Sequence, residues 1–359
     1  MKPAPASPSE REPQPQAELP EERVASARAG EIAWLVLAPL ALALGLNLAV
    51  AEVLAAHPTN RGHVLTRLKW DMVANPPPDV DTLVVGDSSC NQGVRPDVLS
   101  AALGGRAINL CTTGDSIAVG PAWMIGAYVE RFGPPRRVIL VHAYDVWKRN
   151  DERLRRQAWV FGRHHDLFLG RAPELDWSAR ERALVYVGER LPLYSQPSAS
   201  RTVLWDLDAA RAYKPFKIEP DGFMPSSKAR ARSVERDARK HIRRNKRRAP
   251  AISRYNRAAV SELARLSAEH GFALFVVHGP MFAGVWASEG VRRYHNGLSD
   301  KLEELFAPAP RARLLFRTPR TYPAKRMENV DHVVGPAAAD YTIALAQEVA
   351  RAEAALPAR

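Results

Sequence analysis

A short apolar run, Thr82-Leu83-Val84-Val85, delivers the tetrapeptide Gly86-Asp87-Ser88-Ser89. If that run is a strand of a doubly wound sheet, the tetrapeptide sits at its carboxyl end, where a loop meets a helix amino terminus and backbone N–H groups are free. A serine there can attack an ester carbonyl while those N–H groups hold the oxyanion. The alternative reading of Ser88 is a cap on the following helix. Gly-Asp-Ser is a short motif, and it recurs at Gly114-Asp115-Ser116. Two other places add matching chemistry. The turn Thr112-Thr113-Gly114 follows a second apolar run and offers Gly114 N–H as a second oxyanion donor. Near the C-terminus, Asn329-Val330-Asp331-His332 sets an imidazole beside a carboxylate, just before a segment of helical character. His332 reads either as a general base or as a packing and capping residue of that last helix.

Positioning these residues requires a sheet. Apolar runs at 82–85, 107–110, 138–141, 273–277 and 314–316 alternate with helical stretches, among them 121–131, 251–270 and 336–355. Runs too short for helices, spaced by helices, predict a parallel sheet of about five strands covered on both faces. The expected fold is a flavodoxin-like three-layer α/β/α sandwich. Strands three and four end in His142 and His278, and Val141-His142-Ala143-Tyr144-Asp145 brings His142 and Asp145 toward the same edge. Each of these histidines reads as pocket-lining or as structural. Residues 144–271 are too many for one crossover and predict a helical insertion. It carries Trp147, Trp159, Trp177 and Trp205, for core packing or for stacking on sugar rings. Within it, residues 228–248 hold eleven Lys/Arg against two acids, which suits a solvated helix face or attachment to anionic lipid or glycan. No nucleic-acid recognition motif accompanies that charge, so no nucleic-acid partner is expected.

The N-terminal part differs in kind. Residues 1–31 contain six prolines and six acids with almost no large apolar side chain, which predicts a disordered tail. Residues 32–51 form an apolar run interrupted only by Asn47, about 30 Å long as a helix, the thickness of a bilayer core. This reads as a retained transmembrane anchor; a cleavable signal with Ala49 and Ala51 at its site, or a buried helix, are the alternatives. Arg23 and Arg28 before the run nearly balance Arg61, Arg67 and Lys69 after it, so charge leaves the orientation open. Residues 52–75 read as a helical stalk and Pro76-Pro77-Pro78 as a stiff linker, with the folded domain beginning near Asp79.

Composition narrows the class. With 359 residues, 46% hydrophobic and 25% charged, the chain is neither wholly disordered nor polytopic in a membrane. Cys90 and Cys111 exclude a disulfide scaffold and a four-thiolate zinc site, leaving one bridge or two buried thiols. His164-His165-Asp166 has no third ligand nearby. No metal and no cofactor is expected. A net charge of +12 suits an anionic surface or substrate.

The order serine first, histidine last resembles the SGNH (GDSL-type) hydrolase superfamily. More narrowly it resembles the membrane-anchored cell-envelope branch related to proteins of alginate acetylation and teichoic acid D-alanylation. The likeness covers residues 80–150 and 270–350. It implies Ser88 as nucleophile, Gly114 as an oxyanion glycine and His332 as general base. Two positions depart from the pattern. The family's third-block asparagine has no counterpart in the segment from Val141 to Asp145. Its triad acid, three residues before the histidine, is Asn329 here, with Asp331 adjacent to His332. The resemblance implies a single-pass inner-membrane protein with a periplasmic or otherwise extracytoplasmic domain. Its activity would be that of an esterase or O-acyltransferase on an envelope glycan, with a membrane-bound acyltransferase as a candidate partner. A noncatalytic component of an exopolysaccharide assembly machine is the competing reading.

Overall fold

The computed structural model describes residues 20–57, 59–150, 154, 177–214, 216–226, 228–245 and 247–357, with side chains from residue 33 onward and without that of Glu189. Trp159 and His164-His165-Asp166 lie outside the described residues, as does most of the N-terminal tail. Five strands, β1 (Val80–Gly86), β2 (Arg106–Asn109), β3 (Arg137–His142), β4 (Ala273–His278) and β5 (Ala312–Leu315), pair in parallel in the order β2-β1-β3-β4-β5. Helices α1 (Pro20–Ala56) and α2 (Arg61–Ala74) precede the sheet. Next come α3 (Ser88–Gly93) and α4 (Pro96–Leu103) after β1, and α5 (Val119–Phe132) after β2. Between β3 and β4 run α6 (Ala179–Arg190), α7 (Pro192–Ser195), α8 (Pro197–Trp205), α9 (Leu207–Arg211), α10 (Ala231–Asn245) and α11 (Arg254–His270). Helix α12 (Glu289–Phe306) joins β4 to β5, and α13 (Gly335–Ala354) closes the fold.

Strand period explains the two cores. Leu83, Val85, Val138, Leu140, Leu274 and Val276 enter the layer under α5, α11 and α12, while their neighbours Val84, Ile139, Val141, Phe275 and Val277 enter the layer under α4 and α13. Every residue of β3 and β4 is buried, as expected for central parallel strands. The expected three-layer sandwich is therefore the observed one. Its strand order reverses between β1 and β3, and ligands of such sheets bind at the carboxyl edge of that crevice. Gly86 sits there at φ +151°, opposite Val141, where any β-carbon would overlap the Val141 carbonyl oxygen.

Four boundaries differ from the sequence expectation. Helix α1 begins at Pro20, inside the segment expected to lack structure; Pro20 opens its first turn and the residues after it are mostly good helix formers. The segment read as a helical stalk contains α2, which packs on the domain ahead of its expected start near Asp79: Val73 joins the core, and the buried Lys69 Nζ donates to Asn109 O at 2.7 Å and to Gly222 O. Burial pulls Lys69 down to about 7, with Asp221 acting against it. Strand β5 starts earlier than expected, because Ala312 pairs with Leu274 and the chain leaves the sheet at Phe316, φ +56°. Finally, α11 covers the sheet beside α5, so it is the β3–β4 crossover itself and the inserted part ends before it.

Among the described residues, one helix is long and apolar enough to span a membrane, over Ala33–Ala56.

Candidate active site

Ser88 is the first residue of α3, but the cap is Asp87. Its Oδ1 accepts Ser89 N–H at 2.8 Å and the Ser89 hydroxyl at 2.5 Å. Ser88 is half-buried and takes no part in the capping, whereas Ser89 points inward against Gly279. The other oxygen, Asp87 Oδ2, accepts Ala143 N–H at 2.7 Å and lies 3.3 Å from His142 Nδ1. Burial alone would raise this carboxyl, yet the partners His142, Ser89 and Ala143 outweigh it and hold Asp87 well below the usual carboxylate range. Asp87 thus works as a fixed anion that ties the β1 and β3 loops together. The Ala143 backbone N–H is thereby committed to Asp87.

Gly114 opens a short 3-10 turn that is tied back to β1 by Thr112 N–H donating to Gly86 O at 3.0 Å. The first N–H groups of any helical turn have no partner within it, so Ser88 and Gly114 both offer donors at this edge. A β-carbon at 114 would collide with the Arg149 guanidinium, which places Arg149 over the glycine. Arg149 pairs with Asp145 at 3.0 Å, and burial is outweighed by Asp145, Asp87 and Asp331, which raise its pKa. Cys90 of α3 and Cys111, just before the Gly114 turn, form a disulfide with a Cα–Cα distance of 5.9 Å. That bond clamps the serine helix to the glycine loop.

His332 lies on a narrow hairpin. Met327 bridges Val333, Glu328 N–H donates to His332 O at 2.8 Å, and Phe282 N–H donates to Val330 O at 2.8 Å. At the tip, Asn329 Oδ1 accepts the N–H groups of Asp331 and His332 at 2.9 and 2.8 Å. The imidazole Nδ1 lies 2.6 Å from Asn329 Oδ1 and 2.6 Å from Asp331 Oδ1. Both are acceptors, so Nδ1 carries the proton and Nε2 keeps its lone pair. Burial works against charging His332, but Asp331 prevails and raises its pKa, while His332 in turn lowers that of Asp331 against the effect of burial. The charge of Asp87, next to Ser88 in the chain, acts on both Asp331 and His332. The charge of Asp87 thus links the β1 edge, where Ser88 follows it in the chain, to the hairpin of Asn329, Asp331 and His332, while Asp145 reaches Gly114 through Arg149 and His142 lies against Asp87.

His278 does not belong to this group. It is buried toward α12, with Nε2 2.9 Å from Ser299 Oγ and its ring 4.0 Å from that of His295. Burial and the neighbouring His295 and Arg317 hold its pKa well below the ordinary value, so it is a neutral core histidine.

Three residues enter the site that the motifs do not name: Tyr144, Arg149 and His241. Tyr144 shares a hydrogen bond with His241 Nδ1 at 2.9 Å, which brings α10 over the edge. Asp331 feels both residues. Beside Gly114 opens a groove of about 400 Å³ whose walls include Asp145, Lys148, Arg149, Arg244 and Arg248. Burial and the guanidiniums of Arg248, Arg149 and Arg244 lower the Lys148 pKa in spite of Asp145. Helix α10 buries Val234 and Ala238 and exposes most of its cations, so its charge is largely a solvated face whose end reaches the groove. Among the described residues, no group of three or more His, Cys, Asp or Glu could hold a metal ion.

No family model and no curated protein matches this chain.

The clamp yields the first prediction. Native chain should take up no thiol-reactive maleimide until a reductant is added. Replacing both cysteines by serine should lower unfolding stability by about 3 kcal/mol, the loop entropy expected for a separation of 21 residues. Two free thiols in the native chain would refute the bridge.

Proposed function

We propose that this chain is an SGNH-like serine esterase or O-acyltransferase, anchored in the inner membrane by α1 and acting outside the cytoplasm on an acylated envelope glycan. The observation that carries the reading is the His332 side chain, whose Nδ1 is held by Asn329 and Asp331, an arrangement that makes Nε2 the basic nitrogen. The disulfide supports an oxidising compartment and hence an exported domain.

In the proposed reaction, Ser88 Oγ attacks the acyl carbonyl and His332 Nε2 takes the hydroxyl proton. The oxyanion accepts from Ser88 and Gly114 N–H, and the Arg149 guanidinium supplies a further N–H donor in place of the amide donor of the family's third-block asparagine. Collapse breaks the ester bond, the leaving alcohol takes the proton from His332, and an acyl-Ser88 remains. Water or a sugar hydroxyl, deprotonated by His332, then attacks the acyl carbon and frees Ser88. Asp331 stabilises the imidazolium formed in each half.

The cationic groove beside Gly114 suits an acidic segment of the glycan, and no nucleic-acid role is proposed. Arg244→Gln with Arg248→Gln should raise KM for an O-acetylated acidic oligosaccharide by about tenfold, equivalent to about 1.4 kcal/mol. Kinetics on p-nitrophenyl acetate should not change. An equal loss on both substrates, or no loss on the acidic one, would remove the groove from substrate binding.

A further inference from the structure

The inserted helices α7–α9 pack on the end of α1. Val50 and Leu54 of α1 form a small core with Ala199, Val203 and Ala210. Asn47, only 2% exposed, donates from Nδ2 to Arg190 O at 2.8 Å and accepts Leu193 N–H at Oδ1, 3.3 Å away. Residues 47, 50 and 54 share one face of α1. This explains the one polar residue in the apolar run: its amide is satisfied by the backbone flanking α7.

Depth follows from that contact. Twenty residues, 32–51, are needed to cross about 30 Å of hydrocarbon, and the first charge beyond them is Glu52. Asn47 lies four residues before Ala51, so the backbone of α7 meets α1 about 6 Å inside the end of the apolar run. Interfacial helices bury their apolar faces to a depth of about 5–10 Å. The side chains these helices leave uncovered fit that depth: Tyr194 is 61%, Leu204 40%, Trp205 83% and Leu207 37% exposed. Tyr and Trp favour the headgroup boundary, and nothing in the described domain covers them. The exit from α9 is tied to α2, since Arg61 Nε donates to Tyr213 OH at 2.8 Å and its guanidinium lies over the Phe216 ring. The assembly is thus braced against both N-terminal helices.

We propose that α7–α9 form a collar around the exit of α1 and seat Tyr194, Leu204, Trp205 and Leu207 in the interface of the leaflet from which α1 emerges. The partner surface is the bilayer itself. This rests on the reading of α1 as a membrane span and is independent of the catalytic assignment. The collar fixes the orientation of the domain over the membrane rather than leaving it on a swivel.

The test uses full-length chain in nanodiscs of phosphatidylethanolamine and phosphatidylglycerol, spin-labelled at single cysteines. The native pair, being bonded, does not compete for label. Trp205→Cys and Leu207→Cys report on the collar, Leu42→Cys on the span and Arg351→Cys on a solvent-exposed site. Collisions with oxygen, which partitions into lipid, are compared with those of a water-soluble nickel chelate. At 205 and 207 the balance should shift from the value at 351 toward that at 42. Values equal to those at 351 would place the collar in water and overturn the proposal. Low access to both reagents would also overturn it, by showing a protein contact such as a second copy. An aqueous reading at 42 would remove the span and the collar together, leaving the Ser88 chemistry untouched.

Discussion

Ser88→Ala should reduce hydrolysis of a simple acetyl ester by about 10⁶ in kcat, the size of effect seen when a serine-hydrolase nucleophile is removed. His332→Ala should lose about as much, and the double variant little more, because the two act as one unit. The substitution is structurally mild. Asp87 caps α3 and Ser89 fills the space beneath Gly279, so Ser88 is left with no structural task and its removal should leave the thermal midpoint in place. Steady-state kinetics with a melting curve for each variant check both halves. A Ser88→Ala chain that keeps its activity, or that supports a deletion strain fully, would favour the noncatalytic assembly role instead.

Asp331→Asn should cost about 10⁴ in kcat, as when a triad carboxylate becomes an amide. In sequence the decisive departure is Asn329, but the geometry gives the two acceptors different work. Asn329 Oδ1 is anchored by two backbone N–H groups and shapes the turn, whereas Asp331 brings the charge that raises the His332 pKa. Asn329→Asp keeps an oxygen in the same turn and should preserve or raise the rate. The pH profile separates charge from shape. His332 acts as a base only when neutral, and its pKa lies above the ordinary 6.5, so activity should fall as pH drops through that raised value. With Asp331→Asn the largest part of the lift is lost, leaving Asp87 and Glu328, and the acidic limb should move to lower pH. An unchanged limb and a small rate loss would return the orienting role to Asn329.

The strands and the edge were legible because they depend on local pattern. Apolar runs such as Val138-Ile-Leu-Val141 are buried on both faces, and the carboxyl ends of parallel strands meet at one crevice wherever the order reverses. Gly86, Asp87 and Ser88 could be placed from that rule alone. Arg149, Tyr144 and His241 could not: they reach the site through the turn after β3 and through α10, whose approach is set by packing of Val234 and Ala238 and has no periodic signature. The disulfide was open for a similar reason, since two cysteines at neighbouring strand ends fit either a bridge or two thiols until the separation is known. The docking of α2 on the domain was not legible because that helix carries only a narrow apolar face, Leu65 and Val73, and its main anchor is the buried Lys69, a residue that sequence reading assigns to solvent.

The central claim is that Ser88 is an activated nucleophile. A fluorophosphonate probe reacts with such serines by forming a serine–phosphorus bond with loss of fluoride, and peptide mass spectrometry locates the adduct. The account predicts labelling at Ser88 in the full-length chain, strongly reduced by His332→Ala and weakened by Asp331→Asn. An unlabelled Ser88 in a folded chain, or labelling indifferent to His332, would contradict it.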